Sequence, residues 1–292
     1  MGTADTSRTR QADTAGLRRR RVLALLLLIA SPLLLTSINR AQVRRQGIFQ
    51  LPGLGPRVAL HPYDGAFRFC RLRFRNSRYG DGSGWFVDYP RADLNLTSRL
   101  SEVTRTRISR DRSGTPGVAV IAPTDPELFS CPFVMMTEPG GAYLDEDEAA
   151  GLREYLLKGG FLWADDFWGT EAWESWSRQI AKILPPGTFP MVELPMSHPL
   201  YHTLFDIARV PQIPNVGLWM SARETSERGY DSAEVHARAI LDEHGRVMVF
   251  VTHNTDFGDA YEEEAVSPDY FRHHSVQAYA IGVDLLLYSM TH

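Results

Sequence analysis

Gly159-Gly160-Phe161-Leu162-Trp163-Ala164-Asp165-Asp166 decides the fold. The glycine pair stops a helix. The four residues after it carry no polar side chain, and a strand of that kind needs cover on both faces. It opens directly onto two carboxylates. Upstream, Asp145 is a suitable N-cap and Glu148 completes a capping box, so a helix starts there with Ala149, Leu152 and Leu156 as its buried stripe. Downstream, Trp173, Trp176, Ile180 and Leu184 recur at helical spacing until Pro185-Pro186 ends the element.

Further out the same alternation of apolar strand and helix continues. In Phe67–Phe74, Cys70, Leu72 and Phe74 point to one face while Phe69, Arg71 and Arg73 point to the other. Leu96, Leu100 and Val103 mark a helix that ends near Val103. Val118–Ile121, Phe133–Thr137 and Met191–Leu194 read as strands, and Pro126–Phe129 as one helical turn. Ala239–Leu241 and Val247–Val251, joined through Asp242–Gly245, read as a hairpin. Pro211, Pro214 and Gly217 break any long element between 199 and 236, and Val276, Ala280, Val283 and Leu287 mark a final amphipathic helix. This order predicts an α/β domain over 67–292: a mostly parallel sheet with helices on both faces, extended by the antiparallel hairpin.

The N-terminal part differs. Residues 1–45 hold nine Arg and two Asp, a net +7, which leaves −11 on the rest of a chain whose total is −4. A polar, basic tail (1–21) ends in Arg18-Arg19-Arg20-Arg21. An apolar run of 17 residues (22–38) follows, then a linker (42–66) with seven Gly and Pro. Basic-then-apolar order is that of a signal peptide or uncleaved signal anchor. With six Arg before the run and three after it, the tail is expected in the cytoplasm and the body outside it, membrane-anchored or secreted to a periplasm. The acidic body speaks against nucleic acid as a partner.

Sheets of this kind bind ligands beyond the carboxyl ends of their strands. Three strand ends deliver polar groups there: Glu138; Asp165 and Asp166; and His253, Asn254 and Asp256. His198 is a loop residue that could join them, and Trp168, beside Gly169, is a rim candidate. Asp165 and Asp166 should point to opposite sides, one into the cleft, the other capping the helix near Thr170 or bonding loop amides. No short His-x-x-x-His ligand spacing exists, so no metal ion and no cofactor is assigned. No Gly-x-Ser-x-Gly elbow, Walker loop or Gly-x-Gly-x-x-Gly follows a strand. Cys70 and Cys131 read as buried thiols, with a disulfide between them in an oxidising compartment left open though not indicated by their spacing, and Glu262-Glu263-Glu264 as a solvated loop.

One family pattern runs through these residues. The strand Phe67–Phe74, Trp85 with Asp88-Tyr89-Pro90, Ala92–Leu96, Glu127-Leu128-Phe129 with Pro132-Phe133, Leu152–Leu156 with Gly159–Leu162 and Asp165-Asp166, and His198-Pro199 resemble the bacterial family numbered 4159 among domains of unknown function. The resemblance covers about residues 67–290. It implies a flavodoxin-like fold similar to the class I glutamine amidotransferases and brings no assigned activity. Those enzymes carry a cysteine on the elbow after a central strand; here Asp165 and Asp166 stand at the comparable elbow. The family often has a glycine-histidine-glycine loop where this chain has Glu138-Pro139-Gly140-Gly141. The expectation is a non-catalytic binding or assembly module with a small-molecule or protein partner. The alternatives are a hydrolase with an acidic and histidine cleft, with or without a metal ion, and a carbohydrate-binding domain.

Overall fold

The computed structural model describes residues 63–292. The basic tail, the apolar run 22–38 and nearly all of the linker lie outside the described residues. Among the described residues no helix is long and apolar enough to cross a membrane.

Seven strands form the main sheet in the order β3-β1-β4-β6-β9-β8-β7. They are β1 (Phe69–Leu72), β3 (Val118–Ile121), β4 (Val134–Thr137), β6 (Leu162–Asp165), β7 (Met191–Glu193), β8 (His236–Leu241) and β9 (Val247–His253). A small antiparallel pair, β2 (Arg75–Asn76) and β5 (Ala142–Tyr143), stands apart. The first five strands in that order are mutually parallel; the predicted hairpin supplies β8 and β9, and β7 pairs antiparallel with β8. The expected mostly parallel sheet with an antiparallel extension is the one found.

Alternation along the strands divides the core in two. Phe69, Met135, Trp163 and Phe250 pack on one side with α1 (Arg91–Val103), α5 (Phe257–Glu262) and α6 (Val276–Thr291). Cys70, Leu72, Met136, Ala164 and Val251 pack on the other with α2 (Glu146–Leu157) and α3 (Gly169–Ile183). The short helix α4 (Val216–Ala222) lies within the proline-broken stretch. The predicted capping box of α2 is present, Asp145 accepting from the Glu148 amide at 2.9 Å and Glu148 from the Asp145 amide at 3.0 Å.

Four local readings need correction. Val103 and Val276 are exposed. α6 is buried instead along Ala278, Ile281, Val283, Leu285 and Leu286, because it is wedged against α1, α5 and the turn Pro199–His202 as well as the sheet. Trp173 is half-buried, its ring carrying the Arg238 guanidinium 4.2 Å from the centroid. The acidic run is no free loop: Glu262 ends α5, Glu263 and Glu264 lie 3.9 and 3.8 Å from Arg91 and Arg99, and all three are half-buried. Finally, Cys70 and Cys131 form a disulfide, with Cα atoms 6.1 Å apart. Sequence separation hid the pair. The sheet order sets β1 beside β4, and Cys131 lies at the entrance to β4.

Candidate functional site

The carboxyl ends of β6 and β9 and the chain between β1 and α1 meet on one edge. Asp165, the last residue of β6, falls on the α1 side and is fully buried. It accepts from the Thr252 hydroxyl and, at 2.9 Å, from the Phe257 amide. Burial pushes its pKa up to about 7 despite these donors. Arg71, also fully buried, lies near it. Its guanidinium hydrogen-bonds Asp93, Thr137 and the Val87 carbonyl.

The chain turns at Asp166, whose φ of +60° lies in the left-handed region that ends a strand abruptly. Its carboxylate meets those of Asp88 and Asp256, one oxygen from each lying within 4.8 Å of the others. Asp88 also has φ +60°. Asp256 is the N-cap of α5, accepting from the Asp259 amide at 2.8 Å. The three are only 7, 6 and 5% exposed for Asp88, Asp166 and Asp256. Burial, and after it the neighbouring carboxylates, raises all three well above the usual carboxylate range. Asp88 belongs to a second triad with Asp259 and Glu262, both half-buried, which runs from the cluster towards the surface.

Asp165 and Asp166 thus turn to different neighbours. Asp166 joins the buried acidic cluster, and Asp165 accepts from the first amide of α5; neither caps α3. That helix is capped from a distance, Asn254 Oδ1 accepting from the Gly169 amide and Asp231 Oδ2 from the Thr170 amide, both at 2.8 Å. Asn254, at φ +64°, also donates to the Glu234 carbonyl at 2.7 Å. Trp168 is 6% exposed and is no rim residue; its Nε1 donates to Asp166 Oδ1 at 3.3 Å. Glu138 is not a member of the triad, although its charge helps to raise Asp166; its Oε2 accepts from the amides of Ser83 and Gly84 in the glycine-rich turn.

Neither histidine joins the carboxylates. His198 caps the turn Pro199–His202, its Nδ1 accepting from the Leu200 amide at 3.2 Å, and its ring lies 5.8 Å from that of Tyr288. His253 bonds the Gly169 carbonyl at 3.0 Å, between the rings of Phe167 and Trp173 at 4.8 and 5.1 Å. Burial lowers its pKa to about 4.

Segment 211–232 lies along this edge. The Asp256 amide bonds the Ile213 carbonyl, the Val216 amide bonds Asp259, and Tyr270 Oη bonds the Pro214 carbonyl. Arg228 reaches across to both oxygens of Asp81, at 2.9 Å each, tying the segment to the glycine-rich turn. Asp88, Asp259 and Glu262 are the site members that sequence reasoning missed. The sequence signal available for Asp88 was its place before Tyr89-Pro90 in a turn-rich stretch.

The family described as a domain of unknown function (DUF4159) matches residues 68–290. A comparison with curated proteins found no match. The match covers well over half of the chain, which belongs to that family.

Proposed function

We propose that this member of the family is a binding or assembly domain held outside the cytoplasmic membrane, built on a flavodoxin-like sheet similar to that of the class I glutamine amidotransferases but without their chemistry. The observation that carries this reading is the state of the cysteines. The chain has two, and they are bonded to each other. The elbow after β6, where such an enzyme would hold its thiolate, carries Asp166. A thiolate nucleophile is therefore missing, while a cluster of buried carboxylates stands at the carboxyl edge.

The disulfide and the arginine-flanked apolar run both suit export, since disulfides persist in oxidising compartments. The acid–histidine hydrolase is disfavoured because His198 and His253 are engaged elsewhere. A sugar-stacking surface is disfavoured by the burial of Trp168.

The test is a thermal-shift screen of the purified full-length protein against small molecules and peptides. Ligands that raise the midpoint of the wild type but not of Asp166→Asn support a binding domain. Turnover of an amide, ester or phosphoester substrate that Asp166→Asn abolishes would overturn the non-catalytic reading. A reporter fused after residue 60 tests the location, and activity of that reporter in the cytoplasm would overturn export.

A further inference from the structure

We propose that Asp88, Asp166 and Asp256 form a site for a hard divalent cation of the Ca2+ or Mg2+ class. The inference rests on the reading of this edge as a binding cleft and names one of its ligands.

Acidic residues often gather without an ion, so the argument needs more than proximity. Asp88 Oδ2 supplies it. This oxygen is buried and has no hydrogen-bond partner among the described residues. Its position is fixed by what lies beneath. A Cβ built on Gly258 would come within 2.0 Å of Asp88 Oδ2 and 3.3 Å of Asp256 Oδ1, so the bare glycine face is what lets Asp88 reach the first turn of α5. An orphaned carboxylate oxygen thus lies in the space beside Asp256. Burying a carboxylate without a partner is costly. The cost is offset either by a bound cation or, without one, by taking up a proton, which the raised pKa values and the nearby Glu262 carboxyl favour. Arg71 acts on Asp88 through its charge but makes no hydrogen bond to it, its guanidinium being bonded to Asp93, Thr137 and the Val87 carbonyl.

The donor set selects the class of ion. All three donors are carboxylates, with no imidazole or thiolate in the group, which suits hard cations and not Zn2+. Two oxygens on opposite sides of Ca2+ stand about 4.6–5.2 Å apart, twice the usual bond length. The three oxygens lie within 4.8 Å of one another, the scale of that span, so small side-chain adjustments bring them onto one ion. Asp259 and Glu262, both half-buried, form a second group of carboxylates with Asp88.

Trp168 provides a local optical reporter, because its Nε1 touches Asp166. The experiment uses full-length protein stripped of metal, titrated with Tb3+ under tryptophan excitation and then competed with Ca2+, Mg2+ and Zn2+; direct Ca2+ calorimetry runs alongside. The expected result is saturable sensitised emission, displaced by Ca2+ or Mg2+ far more readily than by Zn2+. Asp88→Asn should weaken binding by at least roughly tenfold, the scale on which even supporting residues act at metal sites. Asn tolerates the left-handed backbone of position 88, so circular dichroism should show the variant folded. Trp168→Phe should lower the emission more than it lowers the calorimetric Ca2+ affinity, which falls as well because the Nε1 bond to Asp166 is lost.

Absence of saturable binding by the wild type, or binding equal in folded Asp88→Asn, overturns the cation site. The wider reading fails differently. If no cation binds but an organic ligand does in an Asp166-dependent way, the cation proposal falls and the binding domain stands. If the cation binds and a substrate is turned over, the site stands and the non-catalytic reading falls.

Discussion

Two adjacent aspartates with different neighbours should respond differently to the same substitution. Asp165→Asn replaces an acceptor of the Phe257 amide and the Thr252 hydroxyl, and should lower stability by about 1–2 kcal/mol in urea unfolding at neutral pH. Asp166→Asn removes one charge from a crowded buried group, and in metal-free protein the same measurement should show equal or greater stability. Equal losses at both positions would make the pair purely structural. His253 gives a pH signature of its own. Its folded pKa, about 4, lies below the ordinary 6.5, so between these values the unfolded chain binds the extra proton. Its contribution is present above pH 6.5 and is lost as pH falls towards 4, at up to ~1.4 kcal/mol per pH unit. The buried carboxylates act in the opposite sense, their folded pKa values being raised. The ring is therefore read as the difference between wild type and His253→Gln, which should shrink across that window. At this scale the sequence was half legible. Asp165, Asp166 and Asp256 follow strands whose ends can be read locally, whereas Asp88 reaches them only because the long β1–α1 connection folds over the same edge.

Among the elements, α3 is the instructive one, since it begins without a capping side chain of its own. Asn254 supplies the missing acceptor from the loop after β9 and does so from left-handed backbone. Asn254→Gly, which keeps that backbone at ease, should cost about 1 kcal/mol, the worth of a cap. Asn254→Ala loses the cap and adds strain, so it should cost roughly 1 kcal/mol more. A glycine variant no better than the alanine one in chemical denaturation would remove the strain from this account. The contrast with α2 explains what could be read. Asp145 and Glu148 are three residues apart and bond each other's backbone, so their box is visible in the sequence. Asn254 and Gly169 are 85 residues apart, and no local pattern joins them. The buried face of α6 was misread for a related reason: partners on several sides replace the single stripe that periodicity can detect.

For the whole molecule, alternating apolar strands and helices made the layered α/β class legible, but not the order of the strands. That order is what turns two distant cysteines into neighbours. Their bond closes a loop with a sequence separation of 61, so replacing both by Ala should cost about 4 kcal/mol by loop-closure entropy. A urea midpoint unmoved by that change, or by reductant, would mean the bond is not formed. The same global folding lays segment 211–232 along the acidic edge and fastens it with Arg228 on Asp81. The bridge is half exposed, so it is a weak fastening, worth about 1 kcal/mol or less and sensitive to salt. It acts beside the Asp256–Ile213, Val216–Asp259, Tyr270–Pro214 and Thr170–Asp231 bonds, so its loss should loosen the segment without releasing it. A ligand behind such a flap has two separable properties, its occupancy and its residence time. Stopped-flow chelation should find the ion leaving faster from Arg228→Ala than from wild type, and faster in high salt, while equilibrium occupancy changes little. The acidic residues would then set what is bound, and a surface arginine outside them would set how long it stays.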